Sequence, residues 1–183
     1  MKSALVVFAD GFEEIEALGV VDVLRRLGVN VTTAALNWKR ATGSHGVEVN
    51  TDASLGEACM GDYDVVVLPG GMPGASNLAA DEQVKDLLAR TAERGAVIAA
   101  ICAAPFILAE HGLLQGKKFT MYPGFDERLG GLRYEDAPAL TDGNIITGTG
   151  PGLFFDFACA IAEKLGQKTQ ISALKKAMFW GEK

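Results

Sequence analysis

Short apolar segments alternate with amphipathic segments along the chain, and this alternation restricts the fold more than any other feature. The apolar segments are typical of buried strands and lie at residues 4–9, 29–35, 47–50, 64–68, 96–102, 117–121 and 144–147. The amphipathic segments have the spacing of helices and lie at residues 13–27, 81–94, 103–110, 154–165 and 169–178. This order predicts an α/β fold with a doubly wound, mostly parallel sheet and helices on both faces.

The length of the chain, 183 residues, suits one domain, 1–183, with a sizeable core. Residues 123–142 are the least regular segment, because they are rich in glycine and charge. We expect an excursion or an edge hairpin there.

Charge and composition argue against several classes of partner. The net charge is −6 and no run of Lys or Arg occurs, which argues against nucleic-acid binding. The first apolar segment is too short to span a bilayer and has no cleavage-site pattern, so we expect a cytoplasmic protein without a membrane partner. The three cysteines have no disulfide-framework spacing, and no Cys/His cluster has metal-ligand spacing.

Cys102 lies where the predicted strand 96–102 turns into a helix, with Pro105 in the first helical turn. A thiol at such a turn is close to backbone N–H groups and to a helix N-terminus, and both favour the thiolate. Serine hydrolases of the α/β class place their nucleophile in the same way. The alternative is that Cys102 is a small buried hydrophobe, which is how we interpret Cys59 and Cys159.

Glu16 falls inside the apolar sector of the first predicted helix, near Val23 and Leu27. A carboxyl group there has to be paired, hydrogen-bonded or protonated, which favours a functional role. The alternative is a first-turn glutamate that points to water and interacts with the helix dipole, as we expect for Glu13 and Glu14.

Several candidate residues follow the carboxyl ends of predicted strands, where ligands bind in open α/β sheets. Gly70 and Gly71 follow strand 64–68, and their N–H groups can approach a ligand closely. The N–H groups of Gly71 and Ala103 together could form an oxyanion hole. Pro151 lies in a Gly-rich loop that lacks the ending of a phosphate loop, and a helix start explains it.

Five segments, spread over nearly the whole chain, resemble the ThiJ/PfpI superfamily, which has a class I glutamine-amidotransferase-like fold. The likeness is greatest to the branch of the Parkinsonism-associated protein deglycase. The matching segments are ADGFEEIE at 9–16, VVDVLRR at 20–26, YDVVVLPGG at 63–71, AAICAAP at 99–105 and GPG at 150–152.

The resemblance implies a flavodoxin-like homodimer that uses no cofactor. It implies a nucleophile-elbow cysteine at Cys102, a protonated Glu16 hydrogen-bonded to its sulfur, and oxyanion contacts from Gly71 and Ala103. The implied substrates are small aldehydes, such as glyoxal and methylglyoxal, or glycated adducts. The implied alternative is oxidative-stress sensing or chaperone-like holding without efficient turnover. The candidate pocket residues are Gly70, Tyr122, His45 and Pro151.

Two positions depart from the superfamily pattern. Ala103 occupies the place of the histidine that follows the cysteine in protease-like members, which argues against a peptidase. Tyr122, in Met121-Tyr122-Pro123, occupies the place of a histidine found in members with glyoxalase activity. A phenol with a pKa of about 10 is a poor base near pH 7. His45 could substitute from a neighbouring loop or a second subunit, although most loop histidines have no such role.

Overall fold

A seven-stranded sheet forms the centre of the computed structural model, which describes residues 1–181. Its strands are β1 (Ser3–Phe8), β2 (Asn30–Ala35), β5 (Ala53–Ser54), β6 (Val65–Leu68), β7 (Val97–Ile101), β8 (Ala139–Asp142) and β9 (Ile145–Gly148). They lie in the order β5-β2-β1-β6-β7-β9-β8. Each neighbouring pair is parallel except β8 and β9. The predicted flavodoxin-like, mostly parallel sheet is confirmed.

Helices cover both faces of the sheet, as predicted. They are α1 (Glu14–Arg26), α2 (Leu55–Ala58), α3 (Gly74–Ala80), α4 (Glu82–Glu93), α5 (Pro105–Glu110), α6 (Phe154–Lys164) and α7 (Lys168–Ala177). Helices α1, α6 and α7 pack on one face, and α2 to α5 pack on the other. Alternate residues of β1 point into the two cores, Val6 into the first and Val7 into the second. None of the helices in the described part of the chain is long and apolar enough to cross a membrane.

The predicted strand at residues 117–121 is wrong. This segment is extended but does not join the sheet, because β7 and β8 already occupy both edges of β9. The Thr120 N–H instead donates to the Thr147 hydroxyl at 2.9 Å. The expected edge hairpin is confirmed, since β8 pairs with β9 across Gly143 and Asn144.

Four short elements were not predicted. They are β5, α2, α3 and the strand β3 (Arg40–Thr42), which pairs with β4 (Glu48–Asn50) in a separate two-stranded ribbon. Each has at most seven residues, which is too short for a periodic pattern to emerge. The ribbon matters for the site, because the loop that joins β3 to β4 packs against the start of α1.

Candidate active site

The carboxyl ends of β6, β7 and β9 converge on Cys102. β6 and β7 are neighbours in parallel register, with Leu68 opposite Ala100. The chain after β6 therefore places Gly70 and Gly71 beside the turn that follows β7. On the other side, the Cys102 N–H donates to the carbonyl of Gly148 at 2.9 Å. Segments far apart in sequence thus meet at one edge of the sheet, as the sequence predicts.

Cys102 has a left-handed backbone with φ of +63°. For a residue with a side chain this conformation costs on the order of 1–3 kcal/mol. It produces the sharp turn between β7 and α5 that the sequence indicated. The Cys102 carbonyl accepts a hydrogen bond from the Tyr122 N–H at 2.9 Å, which fixes the turn from a third segment.

Glu16 is completely buried on α1, so the alternative of a water-facing first-turn glutamate is wrong. Its Oε2 accepts a hydrogen bond from the Gly70 N–H at 2.8 Å. Its Oε1 has no protein partner of good hydrogen-bond geometry among residues 1–181. The Cys102 thiol is the side chain that interacts with this carboxyl group.

Burial raises the pKa of the Glu16 carboxyl to about 7, although the Cys102 thiol and the Gly70 N–H partly oppose this shift. Burial also raises the pKa of the Cys102 thiol, and the charge of an ionised Glu16 raises it further. The N–H groups at the turn act in the expected direction, since they lower the thiol pKa, but burial and the charge of an ionised Glu16 outweigh them. The expectation from the sequence weighed the N–H groups at the turn but not the burial and the neighbouring carboxylate.

The N–H groups of Gly71 and Ala103 face the Cys102 sulfur and lower its pKa, against the larger effect of burial. Gly70 has no room for a side chain, because a Cβ there would lie 2.7 Å from the Cys102 Cβ and 2.8 Å from Glu16 Oε2. Gly71 has φ of +85°, which disfavours any side chain. The glycine pair is therefore required for the close approach of two N–H groups to the site.

The Tyr122 backbone contacts the Cys102 turn, and Pro151 follows Gly150, which packs against the Tyr122 ring. The Tyr122 side chain is half exposed, and its ring covers Gly150, where a Cβ would be 3.3 Å from the ring. Pro151 begins a short 3-10 turn, Pro151–Leu153, that leads into α6. This turn gives Pro151 the structural role that the sequence suggested.

A network of threonines, which the sequence analysis missed, lies behind Tyr122. The Thr120 and Thr149 hydroxyls are 2.7 Å apart and both bond the carbonyl of Ala137, while Thr147 accepts from the Thr120 N–H. The network holds segment 117–122 over the end of β9. Isolated threonines in extended segments have no sequence signal for such a role.

His45 lies beside the start of α1, where its ring nitrogen Nδ1 is 2.9 Å from Glu14 Oε2. Its other side-chain neighbours are Glu13 and Ser44, and the side chain is 70% exposed. Its contacts are therefore with the helix start and not with Cys102. Ligand atoms of Glu13, Glu14 and His45 lie within 4.8 Å of one another, but hydrogen bonds already occupy both Glu14 oxygens, which favours an ion pair over a metal site.

Glu14 is buried, with 8% of the residue exposed, so the prediction that it points to water is wrong. The loop between β3 and β4 folds over its carboxylate and supplies the hydrogen bonds that water would otherwise make. Sequence periodicity in α1 gives no information about a loop that arrives from residues 43–47.

Residues 2–164 match the model of the DJ-1/PfpI family. Protein dj-1beta of Drosophila melanogaster is 43% identical over 181 residues, which cover 97% of each chain. A Caenorhabditis elegans protein, glutathione-independent glyoxalase DJR-1.2, is 32% identical over 179 residues, covering 97% of this chain and 96% of that one. The crystal structure of a mutant DJ-1 superfamily protein from Salmonella typhimurium superposes with a TM-score of 0.93 at 36% identity, covering 98% of this chain and 99% of that one.

Proposed function

The chain belongs to the DJ-1/PfpI family, and we propose that it converts small reactive carbonyls such as methylglyoxal through a covalent adduct on Cys102, without a cofactor. One observation carries the proposal: the buried Glu16 carboxyl contacts a thiol that also faces the N–H groups of Gly71 and Ala103. The C. elegans relative whose name states a glyoxalase activity supports it.

In the first step the Cys102 sulfur adds to the aldehyde carbon of methylglyoxal, and an ionised Glu16 takes the thiol proton. The C–S bond forms as the carbonyl π bond breaks, which leaves an oxyanion. The N–H groups of Gly71 and Ala103 stabilise that oxyanion, and its protonation gives a hemithioacetal. A carboxyl with a pKa of about 7 is well matched to accept and return a proton near neutral pH.

In the second step Glu16 removes the proton from the former aldehyde carbon, and the electron pair of that C–H bond passes to the ketone oxygen, which gives an enediolate. Glu16 then returns the proton to the neighbouring carbon, and the hydroxyl proton of the hemithioacetal passes to the former ketone oxygen. The aldehyde carbon is oxidised to a thioester as the ketone is reduced to an alcohol, so no external oxidant is needed. Water then hydrolyses the thioester, which releases lactate and the thiol. With Tyr122 beside the Cys102 turn, Glu16 has to carry these proton transfers without help from a histidine there, so we expect slow turnover.

Lactate formation from methylglyoxal tests the proposal. Cys102→Ala should reduce the rate to the background value, while Cys159→Ala, which removes a half-buried thiol of α6, should retain it. If the wild-type protein forms no lactate above background, the proposal fails.

A second candidate function is redox sensing or chaperone-like holding through oxidation of Cys102. The observation that favours it is the set of donors at the sulfur, since the N–H groups of Gly71 and Ala103 and a protonated Glu16 can bind sulfinate oxygens. Mild peroxide should then add two oxygens to the intact mass, located at Cys102. Earlier oxidation of Cys59, with Cys102 still reduced, would remove the basis of this candidate.

We further propose that each protomer is a single domain, 1–183, and that two copies form a homodimer through the outer face of α1. Ile15, Leu18 and the neighbouring Val47 are apolar side chains that are 52%, 38% and 47% exposed in the single chain. A second copy that covers them would remove this apolar surface from water.

The proposed substrate partner is a small aldehyde or a glycated adduct.

A further inference from the structure

Glu14 is a buried charged residue that the proposed reaction does not use. It begins α1, two residues before Glu16, and has 8% of its surface exposed. A carboxylate rarely occupies such a position unless its oxygens are satisfied, because burial of an unpaired charge is costly.

The loop between β3 and β4 satisfies this carboxylate. Oε1 accepts hydrogen bonds from the His45 N–H at 2.8 Å and, more weakly, from the Val47 N–H at 3.4 Å. Oε2 lies 2.9 Å from His45 Nδ1 and 3.4 Å from the Ser44 hydroxyl. Gly43 lies so close that a Cβ there would collide with Glu14 Oε1. We call this arrangement of residues 43–47 around Glu14 the carboxylate clasp.

Glu14 is ionised at every pH at which the protein would work. Burial raises its pKa, but the hydrogen bonds of the clasp outweigh burial and hold the pKa at about 2. The titratable side chains that face it are His45, whose pKa its bond to Glu14 raises, and the neighbouring Glu13. The two backbone donors do not titrate, so the clasp persists whether or not His45 is charged.

Backbone hydrogen bonds connect the clasp to the candidate active site. The Ser44 N–H donates to the Phe12 carbonyl at 2.8 Å, and the next N–H along the chain, that of Glu13, donates to the Gly70 carbonyl at 3.0 Å. The Gly70 N–H in turn donates to Glu16. Segment 11–14 thus lies between the clasp on one side and the glycine pair on the other.

We infer that Glu14 is a positioning residue: by holding residues 43–47 against segment 11–14, its carboxylate fixes the Gly70–Gly71 turn that faces Cys102. The inference rests on the site of the proposed function. What it predicts, however, is the pKa of the Cys102 thiol and its rate of alkylation, and neither depends on turnover of a substrate.

The direction of the effect follows from the contacts of the turn. The Gly71 N–H lowers the pKa of Cys102, and the Gly70 N–H lowers the pKa of Glu16. A turn that moves away from Cys102 weakens the interaction of the Gly71 N–H with the sulfur and the hydrogen bond of the Gly70 N–H to Glu16, and therefore raises both pKa values. At pH 9 Glu16 is ionised in the wild type and in the variants, so its charge on the thiol is the same and the loss of the Gly71 interaction decides the thiolate fraction. Because the thiolate is the reactive form, the reaction of Cys102 with an alkylating reagent then requires higher pH.

The experiment measures the alkylation of each cysteine by iodoacetamide, between pH 6 and 10, with mass-spectrometric quantification per residue. Glu14→Ala removes the clasp, Glu14→Gln removes its charge, and Gly43→Ala crowds it from the loop side. The matched control is Glu82→Ala, because Glu82 also lies in the first turn of a helix but has an 81% exposed side chain. Cys59 and Cys159 serve as internal references for the integrity of the fold.

We expect Glu14→Ala to slow the alkylation of Cys102 at pH 9 by about tenfold, which corresponds to one pKa unit. Gly43→Ala and Glu14→Gln should act in the same direction, by about threefold or more. Cys59 and Cys159 should react as in the wild type, and Glu82→Ala should change nothing. If Glu14→Ala does not fold, the alkylation rates of Gly43→Ala and Glu14→Gln test the inference.

An unchanged Cys102 profile in Gly43→Ala and Glu14→Gln would overturn the inference. So would an equal acceleration of all three cysteines, because it would reveal loss of the fold and not displacement of the turn. The alkylation rate does not depend on turnover of methylglyoxal. Suppose that the wild-type protein forms no lactate but that the variants still slow the alkylation of Cys102. That result would contradict the proposed function and leave the role of Glu14 intact.

Discussion

At the scale of single residues, Glu16 and Cys102 behave as one unit, because each determines the charge that the other can bear. Burial raises the pKa of Glu16 to about 7 and also raises that of the thiol, so above pH 7 the pair has lost one proton and holds the other. The position of Glu16 among apolar residues was visible in the sequence. The effect of its charge on the thiol was not, because it depends on a contact between α1 and the end of β7.

Glu16→Gln should increase the stability of the protein above pH 7. The carboxyl has an ordinary pKa of 4.5 and a folded-state pKa of about 7, so the folded state binds more protons and wild-type stability falls as pH rises from 4.5 to 7. Glutamine has no charge to bury. The free energy of unfolding of Glu16→Gln should therefore exceed that of the wild type by on the order of 3 kcal/mol at pH 8, and this difference should disappear below pH 4.5. Urea unfolding at pH 4 and pH 8 measures it, with Glu82→Gln as an exposed control. Equal free energies of unfolding for wild type and Glu16→Gln at pH 8 would contradict the burial account.

The left-handed turn at Cys102 makes a second prediction at this scale. Cys102→Gly should be at least as stable as Cys102→Ala, because glycine adopts φ of +63° without strain. Within β7, Ala100→Gly should lose about 1 kcal/mol. Thermal unfolding of the three variants measures both effects. If Cys102→Gly is less stable than Cys102→Ala by as much as Ala100→Gly is less stable than the wild type, the backbone at Cys102 is not strained.

At the scale of elements, the segments with clear periodicity were predicted and the segments fixed by distant partners were not. The buried run before Cys102 and the apolar sector of α1 are properties of local sequence. Segment 117–122 has the composition of a strand, yet β7 and β8 already occupy both edges of β9, and a threonine network holds the segment instead. The clasp around Glu14 likewise depends on a loop about thirty residues away, which no local pattern indicates.

The position of segment 117–122 leads to a prediction about catalysis. Tyr122→His would place a base with a pKa near 6.5 beside the Cys102 turn, on a backbone already fixed to the Cys102 carbonyl. General-base catalysis typically contributes about 10²-fold or more, so kcat for lactate formation from methylglyoxal should rise at least tenfold. Tyr122→Phe, which keeps the ring over Gly150, is the control and should leave kcat nearly unchanged. A Tyr122→His variant no faster than wild type would show that proton transfer at this position does not limit turnover.

At the scale of the whole molecule, the parallel sheet brings the ends of β6, β7 and β9 to one edge, and the two helical layers leave the outer face of α1 uncovered. The alternation of the main strands and helices was predicted from the sequence, apart from segment 117–121 and the four short elements. The homodimer was expected from the resemblance to the superfamily and stays a proposal. The sequence did not indicate its surface, because exposed apolar residues on one helix have no partner in the sequence of a single chain.

Leu18→Glu should convert the proposed homodimer into monomers. The substitution places a charge in the apolar face that the second copy would cover, and an unpaired buried charge is strongly unfavourable. Light scattering coupled to size-exclusion chromatography gives the mass. Met60→Glu, at an 82% exposed position outside this face, should stay dimeric. A monomeric wild-type protein at micromolar concentration would contradict the assembly.

The central claim is that an ionisable Glu16 with a pKa near neutrality works together with Cys102, and the pH dependence of kcat/KM for methylglyoxal tests it most directly. Glu16 has to be ionised in the free protein to accept the thiol proton, so kcat/KM should rise through a midpoint of about 7. Glu16→Gln should lose most of the activity and this limb of the profile. A midpoint near 4.5, the ordinary value for glutamate, or the same limb in Glu16→Gln, would contradict the account.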